Sequence, residues 1–149
     1  MRGTELVARF FNVILPVAAT ALILVYRDCG TSCSYLRGTL CGIDLSVVGI
    51  LFMTVLMVIH LPGGNRIGAP VHHVRTALLS GGLGGEIILI RFQLLHDVYC
   101  AYCLAFCVIV LLLFVLNART MNRALAAGSA TVGALCFYFF FDGSVLPLF

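Results

Sequence analysis

Charge is what this sequence has least of. Asp, Glu, Lys and Arg together make up 10% of its 149 residues, where a soluble globular domain carries about a quarter. Lysine is missing altogether, so all nine basic residues are arginine, and the net charge is only +3. The arginines are scattered, and no basic patch suits nucleic acid. No polar stretch is long enough to build a second core, which excludes a separate soluble domain and leaves 1–149 as one unit. There is no internal repeat, no phosphate-cradling glycine loop, no paired acid–base carboxylates and no Ser-His-Asp arrangement.

Apolar residues are what is present in excess. They make up 62% of the chain, and the mean hydropathy is +1.12. This composition predicts an all-α integral membrane protein. About 20 apolar residues cross a bilayer as a helix, and five stretches qualify: 10–26, 45–61, 76–95, 98–116 and 124–141. The first has a basic start in Arg2 and Arg9 and an A-x-A-like Ala19-Thr20-Ala21, as a signal peptide has. Its apolar run continues past Ala21 to Tyr26, so it is read as a retained span.

Arginine placement predicts the orientation. Arg2 and Arg9 precede the first span, Arg66 and Arg75 lie between the second and third, and Arg119 and Arg123 lie between the fourth and fifth. With a cytoplasmic N-terminus all six are cytoplasmic. The outer side then keeps Arg27 and Arg37, with Arg91 near it, and collects Asp28, Asp44, Asp97 and Asp142.

That orientation gathers thiols. Of seven cysteines, Cys29, Cys33 and Cys41 fall in the first outer loop, "RDCGTSCSYLRGTLCGID". Cys100 and Cys103 open the fourth span on the same side, in "HDVYCAYCLAFC". Asp97 is the expected N-cap of that helix. Unsatisfied N–H groups and the positive end of the helix dipole favour a thiolate in its first turn. Residues three apart on a helix are neighbours, so the pair can close a disulfide. A loop pair facing a helix pair suits a relay, because disulfides move by thiolate attack through mixed disulfides.

Other readings of the same cysteines stay open. C-x-x-C in an apolar helix can be chance, since Cys is a small hydrophobe. The thiols could form structural bridges in a non-enzymatic helical subunit. Cys29, Cys33, Cys100 and Cys103 could give a four-thiolate zinc site, although no metal is the preferred reading. Covalent haem is disfavoured because Leu104 stands where C-x-x-C-H needs His.

The ordered combination of "SCSYLRGTLCGIDLSVVGILF" and "YCAYCL" resembles the vitamin K epoxide reductase family, including its bacterial members, over residues 8 to 118. The fifth span is similar to the extra helix of bacterial members. The resemblance implies a four-helix bundle around a quinone site plus a fifth transmembrane helix, in a bacterial inner membrane with the cysteine centre periplasmic. It implies that Cys103 reacts with the quinone, ubiquinone or menaquinone, that Cys100 exchanges with the loop through Cys33, and that Cys29 exchanges with the partner. That partner is expected to be a separate periplasmic thioredoxin-like thiol oxidoreductase, because the chain ends at Phe149. The implied activity is quinone-dependent thiol oxidation in support of disulfide formation. Its rival is the opposite flow, reduction of a quinone or quinone epoxide. Cys41 is an additional thiol. Cys107 stands where the human-type enzyme has a quinone-contacting Tyr, and Leu45, with Ser46 beside it, stands in place of a quinone-contacting Asn.

The remaining residues of interest are apolar-span exceptions. Glu86 lies mid-span, where carboxyls are costly and often functional. It is a candidate proton relay at the quinone site, unless it pairs with Arg91. Gly81, Gly82, Gly84 and Gly85 allow close helix approach. Cys107, one turn beyond Cys103, is a second candidate for the quinone pocket, as is Ser46. Cys136 is expected to pack in the core, His72 and His73 to lie in a cytoplasmic loop, His60 to end the second span, and "FYFFF" before Asp142 to anchor at the interface.

Overall fold

The computed structural model describes residues 2–28, 36–60 and 69–145. The chain is mostly helical: α1 (Arg2–Asp28), α2 (Leu45–His60), α3 (Ala69–Leu95), α4 (Ala101–Asn117) and α5 (Arg123–Phe140). A 3-10 turn, Ala118–Thr120, joins the last two helices. Four helices are long and apolar enough to cross a membrane, with windows at Phe10–Arg27, Pro70–Leu95, Ala101–Thr120 and Arg123–Phe140. The shorter α2 is also apolar. Large apolar side chains such as Phe10, Leu51, Val132 and Phe139 point outward along the helices, which suits a hydrocarbon surround.

The helices start and stop for local reasons. Asp44 accepts the Ser46 N–H at 2.8 Å through Oδ1 and so caps α2. Asn122 accepts the Ala124 and Leu125 N–H groups at the head of α5. Pro16 sits inside α1, and the Thr20 hydroxyl donates to its carbonyl at 2.9 Å. Helix α3 extends two turns earlier than the expected span, so His72 and His73 are exposed helix residues rather than part of a loop.

Pure helix is not the whole fold. β1 (Leu36–Leu40), β2 (Ile43–Asp44) and β3 (Phe141–Val145) form an antiparallel sheet in the order β2-β1-β3. Cys41 (φ 53) and Gly42 (φ 80) are both left-handed and join β1 to β2 as a two-residue hairpin loop. β3 continues directly from α5 and pairs with β1, with Gly38 opposite Gly143 and Thr39 opposite Asp142. The Cys41 N–H also donates to Phe140 O at 3.1 Å. "FYFFF" is therefore divided. Tyr138, Phe139 and Phe140 are exposed, while the Phe137 and Phe141 rings turn inward and stack at 6.5 Å.

This sheet fixes the arrangement of ends. The end of α5 lies beside the start of α2, and a short turn links the end of α3 to the start of α4. At the opposite end Arg75 of α3 donates to the Thr120 hydroxyl after α4 at 2.8 Å. Contacts run from α1 to α2, α2 to α3, α3 to α4 and α4 back to α1, and α5 stands against α3. A buried core of Ala19, Met53, Leu56, Leu79, Val110 and Leu113 fills the half away from the sheet. There Asn12 of α1 and Asn117 of α4 exchange amide hydrogen bonds of 3.3 and 2.8 Å. Glycines let α3 and α5 meet backbone to backbone. A Cβ on Gly84 would strike the Ala130 carbonyl, and one on Gly133 would strike that of Gly81.

Candidate functional site

The half of the bundle nearest the sheet holds a cavity of about 880 Å³, within the range of pockets that enclose a small organic molecule. All five helices and β1 reach it. Its walls include Phe52 of α2, Phe106 of α4, Phe92 of α3 and Phe137 of α5. Glycines make room for the rings. A Cβ on Gly82 would lie 2.5 Å from the Phe52 ring. Phe141, the first residue of β3, closes one side with its ring edge-on to Phe92 at 5.3 Å.

The C-x-x-C stands at the head of α4 beside this cavity. Asp97, the expected N-cap, instead holds a left-handed turn residue at φ 51. The N-cap is Cys100 itself: its Sγ accepts the Cys103 N–H at 3.4 Å. Five residues, His96 to Cys100, turn the chain from α3 into α4, which moves the helix start to Ala101. Cys100 is fully buried, and Cys103 is half-buried on the cavity wall. His96 turns back on its own helix, donating through Nδ1 to Phe92 O at 2.9 Å.

Gln93 was not singled out by the sequence reading, and it holds the motif in place. It is 3% exposed, lines the cavity, and accepts the Cys100 N–H through Oε1 at 3.0 Å. The signal that marks it is spacing. Gly82, Glu86, Leu89 and Gln93 recur at intervals of four, three and four, which is one helical face, and all four line the cavity.

The other sequence-predicted residues divide as follows. Ser46 and Glu86 are on the cavity wall with Cys103. Cys107 is half-buried one turn deeper and is not among the lining residues, although it is within electrostatic reach of Glu86. Cys29 and Cys33 lie outside the described residues. Cys41 is an exposed free thiol in the hairpin loop, and Cys136, expected in the core, is a free thiol on the cavity wall. Tyr102, between the two motif cysteines, also lines the cavity and packs against Tyr26 at 5.9 Å. Glu86 is 8% exposed and has no ion-pair partner among the described residues. Arg91 is turned away from it, its guanidinium 5.9 Å from the Tyr138 ring centroid.

Among the described residues no group of three or more His, Cys, Asp or Glu side chains is placed to hold a metal. The four-cysteine zinc alternative includes Cys29 and Cys33 and so extends beyond them. Comparison of the chain with protein-family models, curated proteins and solved structures gives no match. A dithiol motif borders an aromatic-walled cavity that opens within apolar helices, and a buried carboxyl shares that cavity.

Proposed function

We propose that this protein is a membrane thiol–disulfide oxidoreductase of the vitamin K epoxide reductase type. It oxidises a thioredoxin-like protein and passes the two electrons to ubiquinone or menaquinone, in the bacterial inner membrane with its cysteines on the periplasmic side. The observation that carries this reading is the position of Cys103, a C-x-x-C thiol on the wall of a cavity lined by Phe52, Phe106 and glycines. A flat, apolar, redox-active ring is the substrate such a wall suits, and the surrounding apolar helices suit its delivery from lipid.

In this reading the partner's dithiol reduces the Cys29–Cys33 disulfide, which in turn reduces Cys100–Cys103. Cys100 takes part in the exchange with Cys33, and Cys103 faces the quinone. Each thiol–disulfide exchange forms one disulfide and breaks another, and the final transfer closes the Cys100–Cys103 bond as two S–H bonds break and the quinone becomes quinol. Ser46 and Glu86 supply polar groups to the same cavity. Cys107 belongs to a less immediate position.

The test is to reduce the purified protein under anaerobic conditions and add a soluble ubiquinone or menaquinone analogue. Stoichiometric quinone reduction is expected from the wild type, and none from Cys103→Ala. Folded, fully reduced protein that reduces neither quinone would overturn the reading.

A further inference from the structure

Glu86 is the only charged side chain in the buried class among the described residues. A carboxyl in a bilayer-spanning helix is costly to keep, and a structural carboxyl offsets that cost with a cation or with donors. Glu86 has neither among the described residues. Arg91, the nearest cation along α3, stands over Tyr138 instead. What Glu86 does face is the cavity that Cys103 also lines.

The depth of Glu86 relative to the thiols follows from one hydrogen bond. Gln93 of α3 and Cys100 of α4 face each other within the reach of one glutamine side chain, because Oε1 of the first accepts the N–H of the second. The two helices then run antiparallel away from that point. At the rise of an α-helix, Cys103 lies about 4.5 Å deeper than Cys100 and Glu86 about 10.5 Å deeper than Gln93. Glu86 thus lies deeper in the bundle than Cys103, on the wall of the same cavity, so a ring held between them can turn one oxygen toward each.

Resting on the thiol–quinone reading above, we propose that Glu86 is a catalytic proton donor, delivering a proton to the quinone oxygen remote from Cys103. The step balances without another reagent. One S–S bond forms between Cys100 and Cys103, two S–H bonds break, and both electrons pass to the quinone. One thiol proton goes to the oxygen nearer Cys103. Glu86 gives its proton to the remote oxygen and recovers the proton released by the second thiol.

Other titratable groups share the cavity and bear on the pH dependence. Tyr102 and Cys103 face it from α4 and Cys136 from α5, while Tyr26 and Arg27 of α1, Arg37 of β1 and Asp44 of β2 also line it. Cys107 of α4 stands within electrostatic reach of Glu86. None of these is a carboxyl at the depth of Glu86, so substitution of Glu86 isolates one ionisation.

The experiment is single-turnover quinone reduction by pre-reduced protein, across pH, for wild type, Glu86→Gln and Glu86→Asp. Quinone affinity is read separately from the quinone-induced rise in Tm. Glu86→Gln is expected to slow reduction about 100-fold, the lower range for loss of a general acid. It keeps wild-type quinone affinity and loses the alkaline limb of the rate–pH profile. Glu86→Asp is expected to restore that limb. Oxidation of the same thiols by diamide, which needs no proton delivered to a quinone, is expected to proceed at the wild-type rate in both variants. Glu86→Gln with a wild-type rate and profile overturns this inference and leaves the thiol–quinone reading standing. Loss of affinity with no change in rate also overturns it, by making Glu86 a binding group. A wild type that reduces no quinone overturns both.

Discussion

Gln93 and Cys100 are seven residues apart in sequence and sit on opposite sides of a helix–helix turn, joined by a 3.0 Å hydrogen bond from the Cys100 N–H to the Gln93 side chain. An N-cap residue's own N–H is not used within its helix. A buried one left without an acceptor costs about 1–3 kcal/mol. Gln93 supplies that acceptor, and the same bond sets how far α4 slides along α3.

Gln93→Leu removes the acceptor while keeping the bulk. It is expected to destabilise the protein by about 1–3 kcal/mol, read as a lower Tm in detergent. Alkylation of Cys100 in the reduced protein is expected to speed up, because the cap and its sulfur are no longer held. An unchanged Tm and alkylation rate would show that another group takes over the Cys100 N–H.

The α3–α5 contact makes a sharper contrast between two glycines on one helix. On Gly133 a methyl group meets the Gly81 backbone, which cannot yield as a side-chain tip can, whereas at Gly128 nothing lies within 4 Å. Gly133→Ala is expected to cost about 1–3 kcal/mol by overpacking. Gly128→Ala is expected to be neutral or stabilising by up to about 1 kcal/mol, the helix preference of Ala over Gly. Thermal unfolding of the two variants in the same detergent reads the difference.

Asn12 and Asn117 satisfy each other between α1 and α4, and Asn117 also donates to Leu113 O at 2.7 Å. A double-mutant cycle with Asn12→Ala and Asn117→Ala is expected to give a coupling of about 0.6 kcal/mol and no more than about 1.7 kcal/mol, as for other interhelical hydrogen bonds in membranes. Additive effects would mean that the pair is not held together in the membrane.

The sheet makes a prediction about sidedness. Cys41 is exposed in the β1–β2 loop, and β3 pairs with β1, so Cys41 and a Ser144→Cys thiol share one end of the bundle. A membrane-impermeant thiol reagent is expected to label both from the same side in oriented vesicles. An Arg119→Cys thiol at the other end, placed there by the α4–α5 turn, is expected to be labelled from the opposite side. Labelling of Cys41 and Arg119→Cys from one side would contradict alternate crossing by all five helices.

Phe141 is the hinge between α5 and the sheet as well as part of the cavity wall. Its ring lies against Phe92, Phe137 and Gly38. Phe141→Ala is expected to cost about 2 kcal/mol, less than the truncation of a fully buried ring, and, on the function proposed above, to weaken any rise in Tm that an added quinone analogue produces.

The helices were readable from the sequence because bilayer thickness is a one-dimensional requirement. Runs such as "CLAFCVIVLLLFVLN" must be long, apolar and self-satisfied in their hydrogen bonds, whatever they pack against. The C-x-x-C at the head of α4 was legible for the same reason, and so were the close-packing glycines of α3. Only the tertiary structure decided the rest. β1 and β3, about a hundred residues apart, pair because both emerge at the same end of the bundle. Cys136 reaches the cavity rather than the core because Gly81, Gly84 and Gly133 let α5 come close enough to α3. Cys100 rather than Asp97 caps α4 because the turn must be completed before the helix can start, and Gln93 then waits at the right height. Such choices depend on which surfaces meet, and a chain's own spacing fixes only the surfaces each helix offers.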